Sequence, residues 1–179
     1  NSTDKISPLL VSAYPTTLPL LIGELSSDNV MDNGGQFDTD ELIEKLYLWD
    51  SPSISSYDSP YALWEGCYAA IASANMALEG IENLGSPASL NPQRGEALVC
   101  RAYSHFLLAN VFCMPYNPNT AESHLGIPYR TRTGDSVYPE NTERGSLKNT
   151  YEQIAADLEA GLPLIKDAAY ELSLIHISE

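Results

Sequence analysis

Apolar residues along this chain recur with helical spacing. Trp64, Tyr68, Ile71, Leu78 and Ile81, with Asn75 among them, follow one another at steps of three and four, which places them on one face of a helix. Ser59 is a favoured cap and Pro60 fits the first helical position, so a helix is predicted from Ser59 to Leu84. A second is predicted from Asn91 to Phe112, where Asn91-Pro92 repeats the cap-plus-proline start. It is apolar almost all round, and a helix of that kind needs neighbours on every side. The connector of about six residues, Gly85–Leu90, suits two antiparallel helices. A third helix is predicted over Leu147–Leu164, capped by Ser146, with Tyr151, Ile154, Leu158 and Leu162 as its apolar stripe and Ala155 beside it. The pattern predicts an all-α fold of helix pairs.

The remaining segments are shorter. Leu18–Leu25 (LPLLIGEL) is apolar and predicted to be buried. The stretch ELSSDN, Glu24–Asn29, ends it with residues that favour caps and turns. Asp32-Asn33-Gly34-Gly35 is a strong turn signal. A short helix over Asp40–Leu48 runs into Trp49-Asp50-Ser51-Pro52 and a polar, aromatic loop reaching Tyr57. Loops held by a rigid scaffold are where binding residues concentrate. Cys113–Arg144 is a long excursion rich in Pro, Asn, Thr and Gly, with Gly126-Ile127-Pro128-Tyr129 as a short extended piece. A loop of that length is usually functional or disordered.

One polar residue breaks the second helix. Arg101 sits in its middle, and a buried arginine without acceptors would be costly. Glu96 is poorly placed on the same helix, so Glu65, Glu79 or loop carbonyls are the expected acceptors. Asn75 is expected to hydrogen-bond a neighbouring loop backbone, as a buried amide must find partners.

Charge excludes some partners. Nine basic against 24 acidic residues give a net charge of -15, unsuited to nucleic acid or to an anionic membrane surface, both of which need Lys and Arg. No segment approaches the roughly 20 apolar residues of a membrane span. Cys67, Cys100 and Cys113 lack metal spacing, and His105, His124 and His176 are scattered. The sequence contains no G-x-S-x-G, H-E-x-x-H, P-loop or G-x-G-x-x-G pattern, and no enzyme activity is expected. Asp28–Asp40 has calcium-like residues but fails the EF-hand spacing. No cofactor is expected, with a loop calcium ion kept as a minor alternative.

The order of segments resembles the N-terminal part of the SusD/RagB family of nutrient-binding outer-membrane lipoproteins of Bacteroidota. The resemblance is carried by ELSSDN (Glu24–Asn29), LWEGCYAAIASANMALEGI (Leu63–Ile81), GEALVCRAYSHFLLANVF (Gly95–Phe112), GIPY (Gly126–Tyr129) and YEQIAADLEAGLPLI (Tyr151–Ile165). It implies tetratricopeptide-like helix pairs with long irregular loops, and capture of an oligosaccharide, less often a peptide. It further implies delivery to a SusC-like TonB-dependent transporter, at the cell surface, through a lipid anchor that precedes this chain. Known members are longer, so residues 1–170 are expected to be the N-terminal part of such a domain. The ending SLIHISE, Ser173–Glu179, resembles read-through of a sequencing adapter, and residues 171–179 are expected to be a non-native tail. The competing reading is a generic tetratricopeptide-like protein-interaction module, which should show a period of about 34 residues. The Cys113–Arg144 loop breaks any such period.

Sugar binding needs flat aromatic faces together with amides and carboxylates. The segment after ELSSDN supplies them in Asn33, Asp38, Tyr47, Trp49, Asp50 and Tyr57, in a region that contributes to the ligand site in the family. Trp49 is the expected stacking platform, the alternative being that it packs on the scaffold. Trp64, Tyr68, Asn75 and Arg101 are expected to be structural.

Overall fold

The computed structural model describes residues 3–34, 40–52, 56–134 and 143–165. The expected tail from residue 171, with His176, and the candidate Asp38 lie outside these. Six α-helices follow in order: α1 (Ile6–Val11), α2 (Leu20–Leu25), α3 (Glu41–Tyr47), α4 (Pro60–Asn83), α5 (Asn91–Phe112) and α6 (Leu147–Gly161). The fold is all-α. An isolated antiparallel bridge pairs Leu125 with Ser146.

Helix ends follow local chemistry. The Ser59 hydroxyl accepts from Ala62 N–H, Asp40 from Leu42 N–H and Ser146 from Asn149 N–H, each satisfying an orphan donor of the first turn. The α4 end is a Schellman motif. Gly85 (φ 81°) occupies the left-handed position, and the Ser86 and Gly85 amides donate to Ile81 and Glu82 carbonyls. The second predicted cap is different. Asn91 has helical dihedrals and its side chain caps nothing. The 3-10 turn Ala88–Leu90 feeds straight into α5, so the chain is already helical where the cap was expected.

Two apolar clusters show how the long helices run. Ile81, late in α4, packs with Leu90, Ala97 and Cys100, early in α5; Leu63, Cys67 and Ile71 pack with Leu107 and Leu108. The helices α4 and α5 are therefore antiparallel, as the short connector predicts. α6 runs antiparallel on the other side of α5, where Gly95 faces Gly161. A Cβ on Gly95 would lie 2.7 Å from the Gly161 carbonyl oxygen, so only glycine permits this approach. α5 thus lies between α4 and α6, which accounts for its apolar circumference.

Two stretches depart from the pattern. LPLLIGEL forms α2 but is not buried: Leu20 is 73% exposed and Leu18 43%. A helix of under two turns offers only one side to the core, and Ile22 is the residue that packs against the Leu63 cluster. On α6, the buried positions are Leu147, Thr150, Ile154, Asp157 and Gly161. Leu162 lies in a 3-10 turn at 58% exposure, and Ala155 is exposed. The predicted stripe was displaced because a carboxylate, Asp157, turns inward.

Asp157 is the partner of Arg101. Nε and Nη2 of Arg101 donate to the two carboxylate oxygens, each at 2.7 Å. Nη1 donates to Asn75 Oδ1 at 2.9 Å and to the Thr131 carbonyl at 3.2 Å. The Tyr129 hydroxyl donates to Asp157 Oδ2 at 2.7 Å. Burial and the adjacent carboxylate push this phenol up, so it remains a donor. Glu65 and Glu79 do not serve Arg101: Glu65 accepts from Tyr61 and Glu79 from Thr133. The expected loop carbonyl is there, as Thr131.

His105 completes the layer. Its ring stacks on Tyr129 with centroids 3.8 Å apart. Nε2 lies 3.0 Å from the Arg130 amide, which can only donate, so Nε2 must accept. Nδ1 then carries the proton and donates to the Arg101 carbonyl at 2.8 Å, giving a neutral ring by hydrogen-bond logic. Burial, reinforced by the Arg101 charge, lowers its pKa to about 4.

Two predictions follow from this layer. Asp157→Asn leaves a buried cation half-paired and should destabilise the chain by about 3–5 kcal/mol in urea unfolding. Replacing both partners, Arg101→Met with Asp157→Leu, should recover much of that loss; a double variant as unstable as the single would contradict it. For His105, the unfolded ring protonates near pH 6.5 while the folded ring resists until about 4. Its contribution is intact above pH 6.5 and is lost as pH falls toward 4, by at most about 1.4 kcal/mol per unit. Unfolding at pH 7 and pH 5 should show a steeper loss for the native chain than for His105→Asn. Equal slopes would mean that the ring is not held neutral.

Candidate functional site

The long loop after α5 is not loose where it meets α4. Tyr68 donates to the Pro128 carbonyl at 2.9 Å, Asn75 Nδ2 to the Arg130 carbonyl at 3.1 Å, and Glu79 accepts from the Thr133 amide at 2.8 Å and from its hydroxyl. Residues 68, 75 and 79 thus grip residues 128, 130 and 133 in the same direction. Eleven helical residues rise about 16 Å, and five extended residues cover about 17 Å. The two lengths match because this part of the loop is extended, as the GIPY stretch suggests. Gly126 begins it where no Cβ would fit, against the Ser146 carbonyl and Thr150.

Between this strap and α4 lies a cleft of ≈ 530 Å³, whose walls include Trp64, Tyr68, Ile71, Met76, Arg130 and Arg132. That size falls in the range of roughly 300–1,000 Å³ typical of small-ligand sites. The Trp64 ring packs against Tyr68 (centroids 4.9 Å) and edge-on against Phe112 (5.1 Å). Burial pushes the Tyr68 phenol up, opposed by the positive charge of Arg130. Tyr68 and Asn75 hold the strap and line the cleft at once, and Trp64 lines it beside Tyr68. Asn75 is 1% exposed with its amide engaged at both ends.

Asn33, Tyr47, Trp49, Asp50 and Tyr57, singled out for sugar binding, lie elsewhere, and none of these five is among the residues lining this cleft. Tyr47, Trp49 and Asp50 sit together at the end of α3. The Tyr47 hydroxyl accepts from the Asp32 amide at 3.2 Å, which brings the Asn33 turn beside α3. Asp50 Oδ1 accepts from the Ser51 amide, and the Tyr57 hydroxyl donates to the Thr16 carbonyl at 2.6 Å. Tyr57 is thereby tied to the segment between α1 and α2.

Trp49 stands out among them. It is 78% exposed and has a φ of 57°. Its amide donates to the Leu46 carbonyl and that of Asp50 to Lys45, the same Schellman pattern that ends α4 at Gly85. Here a large indole occupies the position that favours glycine. A side chain in the left-handed region costs about 1–2 kcal/mol, and the exposed ring recovers little of that by burial.

Among the described residues no group of three or more His, Cys, Asp or Glu could hold a metal ion, and no helix is long and apolar enough to cross a membrane. Cys67, Cys100 and Cys113 are free thiols. The helical scaffold presents an exposed indole at Trp49 and an aromatic cleft beside α4.

A search of curated proteins returns no match. The family model described as starch-binding associating with outer membrane matches residues 1–179, the whole chain, in agreement with the all-α fold. The chain belongs to the SusD-like family.

Proposed function

We propose that this chain captures an oligosaccharide outside the outer membrane and passes it to a SusC-like TonB-dependent transporter, making and breaking no bond. The membrane is reached through a lipid anchor on the full-length protein. Family membership supports the glycan and the outer membrane; handover and surface location are inferred from the resemblance.

Trp49 carries the assignment of the site. A residue held in an unfavourable conformation, where glycine would serve better, calls for a role outside the fold. An indole that is 78% exposed offers a flat face for the apolar side of a pyranose ring. Tyr47 and Asp50 lie next to it at the end of α3, the Tyr47–Asp32 hydrogen bond draws the Asn33 turn toward the same helix, and these residues bring hydroxyl, carboxylate and amide groups for sugar hydroxyls; Tyr57 anchors the far end of the same loop. No cofactor is needed for such capture.

The test exploits the conflict between stability and binding. Trp49→Gly should raise unfolding free energy by about 1 kcal/mol while weakening binding of maltoheptaose, followed by calorimetry, at least tenfold. Full affinity in the variant would retire Trp49 as the platform. A turnover of maltoheptaose into new reducing ends would overturn the binding-protein reading itself.

A further inference from the structure

The cleft between α4 and the strap differs in chemistry from the Trp49 loop. The chain carries only nine Lys and Arg against 24 Asp and Glu, yet two of the arginines, Arg130 and Arg132, stand on the rim of this one cleft. They face an apolar and aromatic wall formed by Trp64, Ile71 and Met76. Cationic groups are scarce on this molecule, and the exposed Arg132 among apolar and aromatic lining residues suits the cleft to an anion with an apolar body.

Two described carboxylates near the cleft leave Arg132 open to a ligand. Glu79 is occupied by the Thr133 amide and hydroxyl. Glu82 approaches Arg132 at 3.7 Å, with side chains 65% and 71% exposed. Such a contact is weak and screened, so a better-placed carboxylate can displace it. An arginine fork binds a planar carboxylate through two parallel hydrogen bonds.

We infer that the α4–strap cleft is a second saccharide site, selective for a carboxylate-bearing sugar unit: the acid group pairs with Arg132 at the rim and the apolar ring face lies against Trp64 and Met76. The inference takes the class of ligand from the glycan-binding reading. The location and the charge preference come from the cleft.

The chain has two tryptophans, one at each site, so fluorescence separates them. Trp49→Phe leaves Trp64 to report the cleft, and Trp64→Phe leaves Trp49 to report the loop. Tri-galacturonate should change Trp64 emission saturably while maltotriose does not, and 500 mM NaCl should weaken the response. Arg132→Gln should weaken tri-galacturonate binding about tenfold, the usual loss for a hydrogen bond to a charged group. Glu82→Gln should tighten it several-fold by freeing Arg132. Both side chains are exposed, so a purely structural role would not move affinity in opposite directions. The inference is overturned if Trp64 is silent toward tri-galacturonate, answers maltotriose equally, or is indifferent to Arg132→Gln. A Trp49 response to maltotriose alongside a silent Trp64 would leave the glycan reading standing and remove only the second site. A selective Trp64 response with Trp49 silent toward both sugars would uphold the cleft and remove the loop.

Discussion

The buried pair of Arg101 and Asp157 is the constraint on which the rest depends. An arginine 8% exposed and a carboxylate 9% exposed can remain charged only if nearly every donor and acceptor is engaged. Meeting that demand recruits α4 through Asn75, α6 through Asp157, and the long loop through Tyr129 and Thr131. Three helices and one irregular segment therefore share a single register. A slip in any one would strand a charge in the core, a penalty that apolar contacts alone would not impose. The polar layer also divides the core, with the Ile81–Leu90 cluster on one side and the Leu63–Leu108 cluster on the other.

The same layer creates the cleft. Once the Arg130 and Thr131 backbones are tied to Asn75, His105 and Arg101, the strap runs beside α4 at a set distance. Trp64 and Met76 then line a gap that the strap cannot close. Structure and binding are not assigned to separate residues here. Tyr68 holds the strap with its hydroxyl while its ring forms part of the wall. The Trp49 loop works on a different principle. It projects from a short helix, α3, outside the polar layer, and its indole is presented through backbone strain instead of burial.

Much of the helical scaffold was legible from local pattern. The caps at Ser59 and Ser146, the antiparallel α4–α5 pair and the extended GIPY stretch depend on interactions between residues close in sequence, or on periodicity that a single helix displays. The misjudged stretches share a cause. LPLLIGEL is apolar in composition, but its six-residue helix lies against the core on one side only. The α6 stripe was displaced because Asp157 reads as a surface residue until its partner 56 positions away is known. Glu65 and Glu79 were reasonable acceptors for Arg101 by charge, yet nothing local distinguishes them from Asp157. The strain at Trp49 left no local signal either, since an exposed tryptophan at a helix end reads the same whether its φ is negative or positive.

The sequence by itself determined the all-α class, the helix positions, the need of Arg101 for acceptors and the family resemblance. Each is written in short-range spacing or in residue order. Only the tertiary structure decided which carboxylate answers Arg101, that Tyr68 and Asn75 line a cleft while holding a loop, and that Trp49 points to solvent. The physical reason is that burial and charge pairing are properties of residues brought together by folding. Residues 75, 101, 130 and 157 become neighbours only when α4, α5, the strap and α6 close around one ion pair.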